Sequence, residues 1–392
     1  MRTILITGPG GSGRTTVAAA TALEAARQGT RTLVLSADRT DSLGSVFGVP
    51  TGATPVEAAP DLTLWRPDAA AHFRDDLVAF QDRAAGALEL LGAARLDAEE
   101  LTPLPGAEEL ALLRALRDAA LSEAYDLLIV DLPPAPGALA LLALPEELRR
   151  YLRRLLPPEK QAARALRPVL GRLAGVPMPA DRLYETAARW DVELAAVEAV
   201  LTDRATGVWL VAEPGPAGAD EVDAAVLGLA LRALRPEVLI ANRVLPDSGQ
   251  DAWFAGLAAQ QRKALEEWQG AYGTDGVHSV PHLGRDPRGA DDLAALAAPA
   301  VNPSPAPVEW PVADRLAEDG VLVWHIPLPG AIRDELDLVR RGDELVVTAG
   351  PFRRILTLPS ALRRCSVNGA ALRDGELRIR FTPDPELWPR GM

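Results

Sequence analysis

The chain has 392 residues, 48% of them hydrophobic, and a formal net charge of −13. That length accommodates two or three domains at about 100–200 residues each, and the acidic balance argues against nucleic acid or an anionic membrane surface as a partner, since both call for cationic protein surface. A single cysteine, Cys365, and four histidines at no ligand spacing exclude an internal disulfide framework and any multi-cysteine metal site.

Met1-Arg2 runs directly into the strand-like RTILIT (2–7), so no leader segment is expected. The most apolar run, ALALLALP (138–145), falls far short of the ~18 residues of a membrane span; a soluble, cytoplasmic protein is expected. Glycine-rich GPGGSGRTT (8–16) follows the first strand, and TTVAAATALEAARQG (15–29) has helical composition up to Gly29. RTLVLS (31–36) is a second buried-strand run, completing a βαβ unit with a short return loop.

Further buried-strand candidates are LTLW (62–65), YDLLIVDL (125–132), GVWLVAE (207–213) and VLIANRV (238–244). Their alternation with helical stretches predicts an α/β fold with a doubly wound, mostly parallel sheet. The helical stretches at 68–121 and 145–202 are longer than crossovers require and predict helical insertions that form a subdomain. Within the second, Leu148, Leu152, Leu155 and Leu156 make one apolar stripe, read as a buried packing face.

Residues 297–313 carry a proline cluster and no hydrophobic period, the composition of an extended linker. Short β-like runs then follow at 320–330, 336–350, 353–359 and 376–384. In GELRIRF, Leu377, Ile379 and Phe381 fall on one face and Arg378 and Arg380 on the other. Asp374-Gly375 supplies a tight hairpin turn. A small antiparallel β-sandwich is predicted, giving a division into 1–297, a linker at 298–319, and 320–389.

The loop at 8–16 fits the phosphate-binding pattern G-x-x-x-x-G-K-[ST] at Gly8, Gly13 and Thr15, with Arg14 in the lysine's place. Glycines let successive N–H groups turn inward as an anion nest. The helix that follows adds its partial positive charge, and the Thr15 hydroxyl is placed to ligate Mg²⁺. Arginine is bulkier and fork-shaped, so the exchange is not conservative. Only Lys160 and Lys263 are lysines among 41 basic residues, however, so a compositional drift toward arginine also accounts for it. The competing reading is a glycine-rich turn without a nucleotide.

Several further segments carry a specific resemblance. PGGSGRTT aligns with the KGGVGKTT loop of the ArsA family of P-loop ATPases, which includes arsenite-pump ATPases and the guided-entry factors for tail-anchored proteins. SADRTDSL (36–43) resembles the family's STDPAHSL, LPGAEELALLRAL (104–116) its PGAEE segment, and YDLLIVDLPPAPGALALLALPE (125–146) its Walker B strand and switch. LIANRVLPD (239–247) is similar to the adenine-binding VVNRVLPE, and VPHLGRDPRG (280–289) to VPLxxxEPRG. The matches run in order through about 1–297. The partition and cell-division-site ATPases share the loop but not PGAEE or the C-terminal module.

The resemblance implies ATP and Mg²⁺ as cofactors. Nucleotide contacts would come from Gly8, Gly10, Gly11, Ser12, Gly13, Arg14, Thr15 and Thr16, with Asn242 and Pro281 at the adenine. Thr15 and Asp131 would serve the metal, and Asp38 would position the attacking water. A homodimer and a hydrophobic protein client are also implied. Two departures bear on activity: Pro9 replaces the family's signature lysine and Arg14 the loop lysine. Arg39, beside Asp38, is either a substitute cation or a solvated loop residue. The switch LPPAPGA has lost its polar groups. Two functions follow, a slow dimeric ATPase that couples nucleotide state to a client, and a pseudo-ATPase dimeric scaffold or chaperone-like binding protein without turnover.

Residues 339–383 resemble the small heat-shock (α-crystallin-like) domain sometimes fused to ArsA homologues. The I-x-I motif by which small heat-shock proteins polymerise is absent, since the chain ends WPRGM, so a packing or interaction module is expected. Cys365 alone cannot provide an arsenite thiolate trio or a Cys-x-x-Cys zinc bridge.

Overall fold

Apolar runs become strands where the sequence is continuously hydrophobic, and the first of these is β1 (Arg2–Thr7). It leads through the glycine loop into α1 (Arg14–Arg27), followed by β2 (Thr32–Ser36), α2 (Ser42–Phe47), β3 (Val56–Ala59) and β4 (Leu62–Trp65). Next come α3 (Ala69–Arg83), α4 (Ala107–Leu121), β5 (Leu127–Asp131), α5 (Ala135–Leu155) and α6 (Pro179–Leu201). The chain continues with β6 (Thr206–Ala212), α7 (Pro216–Ala230), β7 (Pro236–Val244), α8 (Ala252–Tyr272), β8 (Val277–Pro281) and α9 (Gly289–Ala294). This computed structural model describes residues 1–36, 38, 40–83, 85, 94–156, 179–246, 251–301 and 308–388. Arg39, Asp247, the 157–178 part of the second helical stretch, 302–307 of the proline-rich stretch and the last four residues lie outside the described residues.

Strands β1–β5 pair in the order β3-β4-β2-β5-β1, parallel except for β3, and β6, β7 and β8 pair in parallel. By internal contacts the chain divides into two compact units. One comprises Met1–Thr7, Gly13–Thr206 and Leu283–Ser304, the other Gly8–Ser12, Gly207–His282 and Pro305–Met392.

In the first unit β5 lies between β1 and β2, both parallel to it, and Asp131 stands opposite Ile6 on one side and Ser36 on the other. The carboxyl ends of three strands therefore finish level, which is where parallel α/β sheets carry their ligands. Ile4, Leu5, Ile6, Leu33, Val34, Leu35, Leu128, Ile129 and Val130 are all fully buried. Alanine-rich α1 packs closely there, burying Val17, Ala18, Ala19 and Ala22.

The helical insertions are tied by arginines: Arg149 on α5 binds Asp191 (3.1 Å) and Glu198 on α6, and Arg117 on α4 lies 3.4 Å from Glu193 on α6. The stretch expected to be helical over 68–121 is broken over 94–106, where Pro103, Pro105 and Gly106 precede α4. The leucine stripe on α5 is not a buried face: Leu155 is 77% exposed, and Leu148, Leu152 and Leu156 are only half-buried.

In the second unit β6, β7 and β8 are parallel neighbours. The same unit carries β9 (Val312–Arg315), α10 (Leu316–Asp319), β10 (Val321–Pro327), β11 (Leu336–Arg341), β12 (Glu344–Ala349), β13 (Phe352–Thr357), β14 (Cys365–Arg373) and β15 (Glu376–Pro383). These form an antiparallel four-stranded sheet, β14-β15-β10-β9, and a three-stranded one, β11-β12-β13. Residues 312–319, at the end of the expected linker, are thus a strand and a helical turn.

Asp374 (φ 52) and Gly375 (φ 69) make the β14–β15 hairpin turn, and Leu377, Ile379 and Phe381 point into the core as the alternation required. That core also takes in Leu227, Ala230 and Leu231 from the end of α7, alongside Leu345, Leu356 and Ile326. Arg354 on β13 donates to the Leu231 carbonyl at 3.1 Å.

Candidate functional site

The glycine loop begins with a steric demand. Gly8 has φ 151, and a Cβ there would stand 2.0 Å from the Val211 carbonyl oxygen of β6, so no side chain fits. Pro9 is buried. Ser12 N–H closes a turn onto the Pro9 carbonyl (3.3 Å), while its hydroxyl is buried with no hydrogen-bond partner. Gly11 has φ 77 and Gly10 is exposed. Two consecutive residues of β7 hold this part of the loop. Asn242 Nδ2 donates to the Ser12 carbonyl (2.7 Å), and Arg243 Nη1 donates to the Gly11 carbonyl (3.1 Å). Asn242 is buried, and Pro281 is exposed at the end of β8.

The rest of the loop starts α1. Gly13 (φ 88) is its N-cap, no side chain caps the helix, and its first turn holds no acid. Thr15 Oγ1 donates to Asp131 Oδ2 at 2.7 Å, and Ser36 Oγ donates to the same oxygen at 3.2 Å. Asp131 is 4% exposed, and its Oδ1 has no partner. Burial pushes the Asp131 carboxyl up to about 6, and the nearby Asp38 charge adds to the rise. The Thr15 hydrogen bond, the Arg14 charge and the Ser36 hydrogen bond oppose it.

Arg14 turns back to donate to the Leu132 carbonyl, just past Asp131. Burial holds its guanidinium below the usual range, against the pull of Asp131 and Asp38. Thr16 is half-buried.

Asp38 is held by its own loop: its carboxylate accepts from Thr40 N (3.2 Å), Thr40 Oγ1 (3.0 Å) and Ser42 Oγ (2.5 Å). It lines a cavity of about 250 Å³ with Arg66, Asp68 and Glu108. Asp41 is structural. It caps α2 through Gly44 N (3.0 Å) and accepts from Thr51 N (2.9 Å) and Thr51 Oγ1 (2.5 Å).

The structure therefore brings Thr15 and Asp131 into contact, and links Arg14 to them electrostatically. Asn242 contacts the loop backbone. Sequence reasoning missed Ser36 as a partner of Asp131 and Arg243 as a partner of the loop. Both stand inside quoted motifs, but their contacts depend on strand register.

Comparison with known proteins extends the picture. Residues 1–301 match a family model described as anion-transporting ATPase, and residues 319–381 match an HSP20-like domain found in ArsA. An uncharacterized protein of Streptomyces coelicolor is 75% identical over 392 residues, all of both chains. A Mycobacterium tuberculosis protein is 32% identical, covering 99% of this chain and 97% of its own length. A putative arsenical pump-driving ATPase of Aquifex aeolicus is 26% identical, covering 97% of this chain and 99% of its own.

Proposed function

The chain belongs to the anion-transporting ATPase family, and from that premise we propose that it is an ATP-binding protein that couples nucleotide state to a protein partner and hydrolyses ATP slowly. The observation that carries this reading is the Thr15–Asp131 pair, 2.7 Å apart at the uncapped start of α1, with Asp131 Oδ1 buried and unpartnered. These hard oxygen donors fit Mg²⁺, which when bound supplies positive charge against the phosphates. The unpartnered, buried Ser12 hydroxyl fits a phosphate acceptor.

In this reading the amides of Gly10, Gly11, Gly13, Arg14, Thr15 and Thr16 and the Ser12 hydroxyl bind the phosphates, and Thr15 and Asp131 hold the metal. Asn242 and Pro281 flank the base, and Asp38 orients the attacking water. Turnover is expected to be slow for three reasons. Pro9 has no charge to offer to a transition state. Arg14 is committed to the Leu132 carbonyl. Pro133, Pro134 and Pro136 fix φ in the segment that follows Asp131, which limits its rearrangement.

The Arg14–Leu132 bond also favours a second reading, a scaffold that binds nucleotide without turnover. Melting of the full chain with and without MgATP, together with phosphate release, separates them. A melting shift with slow release supports the ATPase, a shift without release supports the scaffold, and neither signal rejects both. In an active protein, Pro9→Lys with Arg14→Lys should raise turnover. For the partner, Leu155 on α5 and Val192 on α6, 77% and 69% exposed, support a hydrophobic protein client, and the family premise supports a homodimer. Arsenite is not the proposed cargo, because the lone Cys365 is buried and donates to the Ala361 carbonyl.

A further inference from the structure

We propose that Arg243 is a positioning residue that presets the phosphate loop, acting with Asn242 through the loop's own carbonyl oxygens; its role in binding rests on the nucleotide reading above. The pairing of β7 with β8 is regular as far as Ala241↔Ser279, and the next pair is Val244↔Pro281. Three steps on β7 thus match two on β8, so one extra residue is accommodated as a bulge. Arg243 sits in that bulge with φ 57, a backbone conformation that L side chains rarely adopt. In a regular strand Asn242 and Arg243 would point to opposite faces. The bulge instead lets both side chains reach the same loop, 2.7 Å from the Ser12 carbonyl and 3.1 Å from the Gly11 carbonyl.

The guanidinium is also 3.6 Å from Glu213, just past β6. Its charge is therefore balanced within the protein, and the side chain works as a strut. In a trans peptide the carbonyl and the following N–H point in opposite directions. Holding the Gly11 and Ser12 carbonyls toward β7 turns the Ser12 and Gly13 amides away from it. Gly11 and Gly13 supply the positive φ values, 77 and 88, that an anion nest requires. A strained non-glycine residue that persists beside such a loop is the kind of outlier from which function is properly inferred.

The test is Arg243→Gly in the full chain, because glycine adopts φ 57 without strain and removes only the strut. Hydrogen exchange of the loop amides 10–16 should accelerate about tenfold in nucleotide-free protein, roughly the equilibrium weight of one charge-assisted hydrogen bond. MgATP affinity should fall by about the same factor, with the melting temperature unchanged or raised. Arg243→Lys, whose single ammonium can stand in for the one nitrogen, Nη1, that makes both contacts, should restore each in part. Should Arg243→Gly fail to fold, Glu213→Gln, which removes the carboxylate charge beside Nη1, is expected to accelerate the same amides. If the wild type binds no MgATP, the nucleotide reading fails while loop exchange still decides the strut. Unchanged exchange and unchanged affinity in a folded variant would overturn the proposal.

Discussion

The guanidinium of Arg14 donates to the main-chain carbonyl of Leu132, so the first side chain of α1 is tied to the residue that follows Asp131. An arginine in this position is long enough to bridge the two segments, whereas a lysine's ammonium is a compact point charge. Arg14→Lys is expected to release this tie and tighten MgATP binding about tenfold, by the exchange of one charge-assisted hydrogen bond for a phosphate contact. Arg14→Ala should instead cost about 1–3 kcal/mol of stability, because the Leu132 carbonyl loses its donor and Asp131 loses a nearby positive charge. Titration calorimetry and urea unfolding of the two variants check both values.

Asp41 is a structural acid close to Asp38, the residue proposed to orient the attacking water. Its carboxylate caps α2 and accepts two bonds from Thr51. Burial works against its charge, but those bonds and the nearby Arg66 hold its carboxyl below the ordinary range. Asp41→Ala should destabilise the chain by about 1–2 kcal/mol, the usual cost of losing a helix cap. Thermal unfolding measures this, and a variant as stable as the wild type would show that the cap contributes nothing.

The pair Arg31–Asp126 gives a pH signature. Arg31 donates to both carboxylate oxygens, from Nε at 2.9 Å and Nη2 at 2.8 Å. These bonds hold the Asp126 carboxyl down to about 2, from an ordinary 3.8. The folded carboxyl is the stronger acid, so the contribution is present above about pH 4 and is lost as pH falls through about 2. Wild type should exceed Asp126→Asn in stability at pH 5, and the two should converge near pH 2. Both side chains are half exposed, so added salt should shrink the difference.

Leu227 links a helix of the sheet region to the C-terminal sandwich, since it is buried in the core formed by β10, β12, β13 and β15. Leu227→Ala should cost about 2–4 kcal/mol, the range for a leucine deleted from a packed core. The loss should appear in the fluorescence of Trp310 and Trp324, whose rings are 6.1 Å apart in that sandwich. Unchanged sandwich unfolding would mean that α7 and the sandwich are energetically separate.

Legibility varied with how local the determinant was. β1, the loop, α1 and β2 follow from a continuous apolar run, glycine punctuation and an alanine-rich helix, all adjacent in sequence. The hairpin at Asp374-Gly375 is equally local. β3 and β8 are only four and five residues long and partly exposed, so they carry no clear period. β9 was hidden by the prolines around it, because its existence depends on pairing with β10. In the site, Thr15 is legible from the loop pattern and Asp131 from its strand. The partner of Arg14 is a backbone carbonyl 118 residues away, and the bulge at Arg243 arises from register against β8, so neither has a side-chain signature.

Calorimetric titration of the full chain with MgATP tests the central claim most directly, with Asp131→Asn as its partner measurement. One binding event per chain in the wild type, weakened at least tenfold or about 1.4 kcal/mol in Asp131→Asn, is the expected result. Absence of binding heat together with absence of any MgATP-induced melting shift in the wild type would contradict the account.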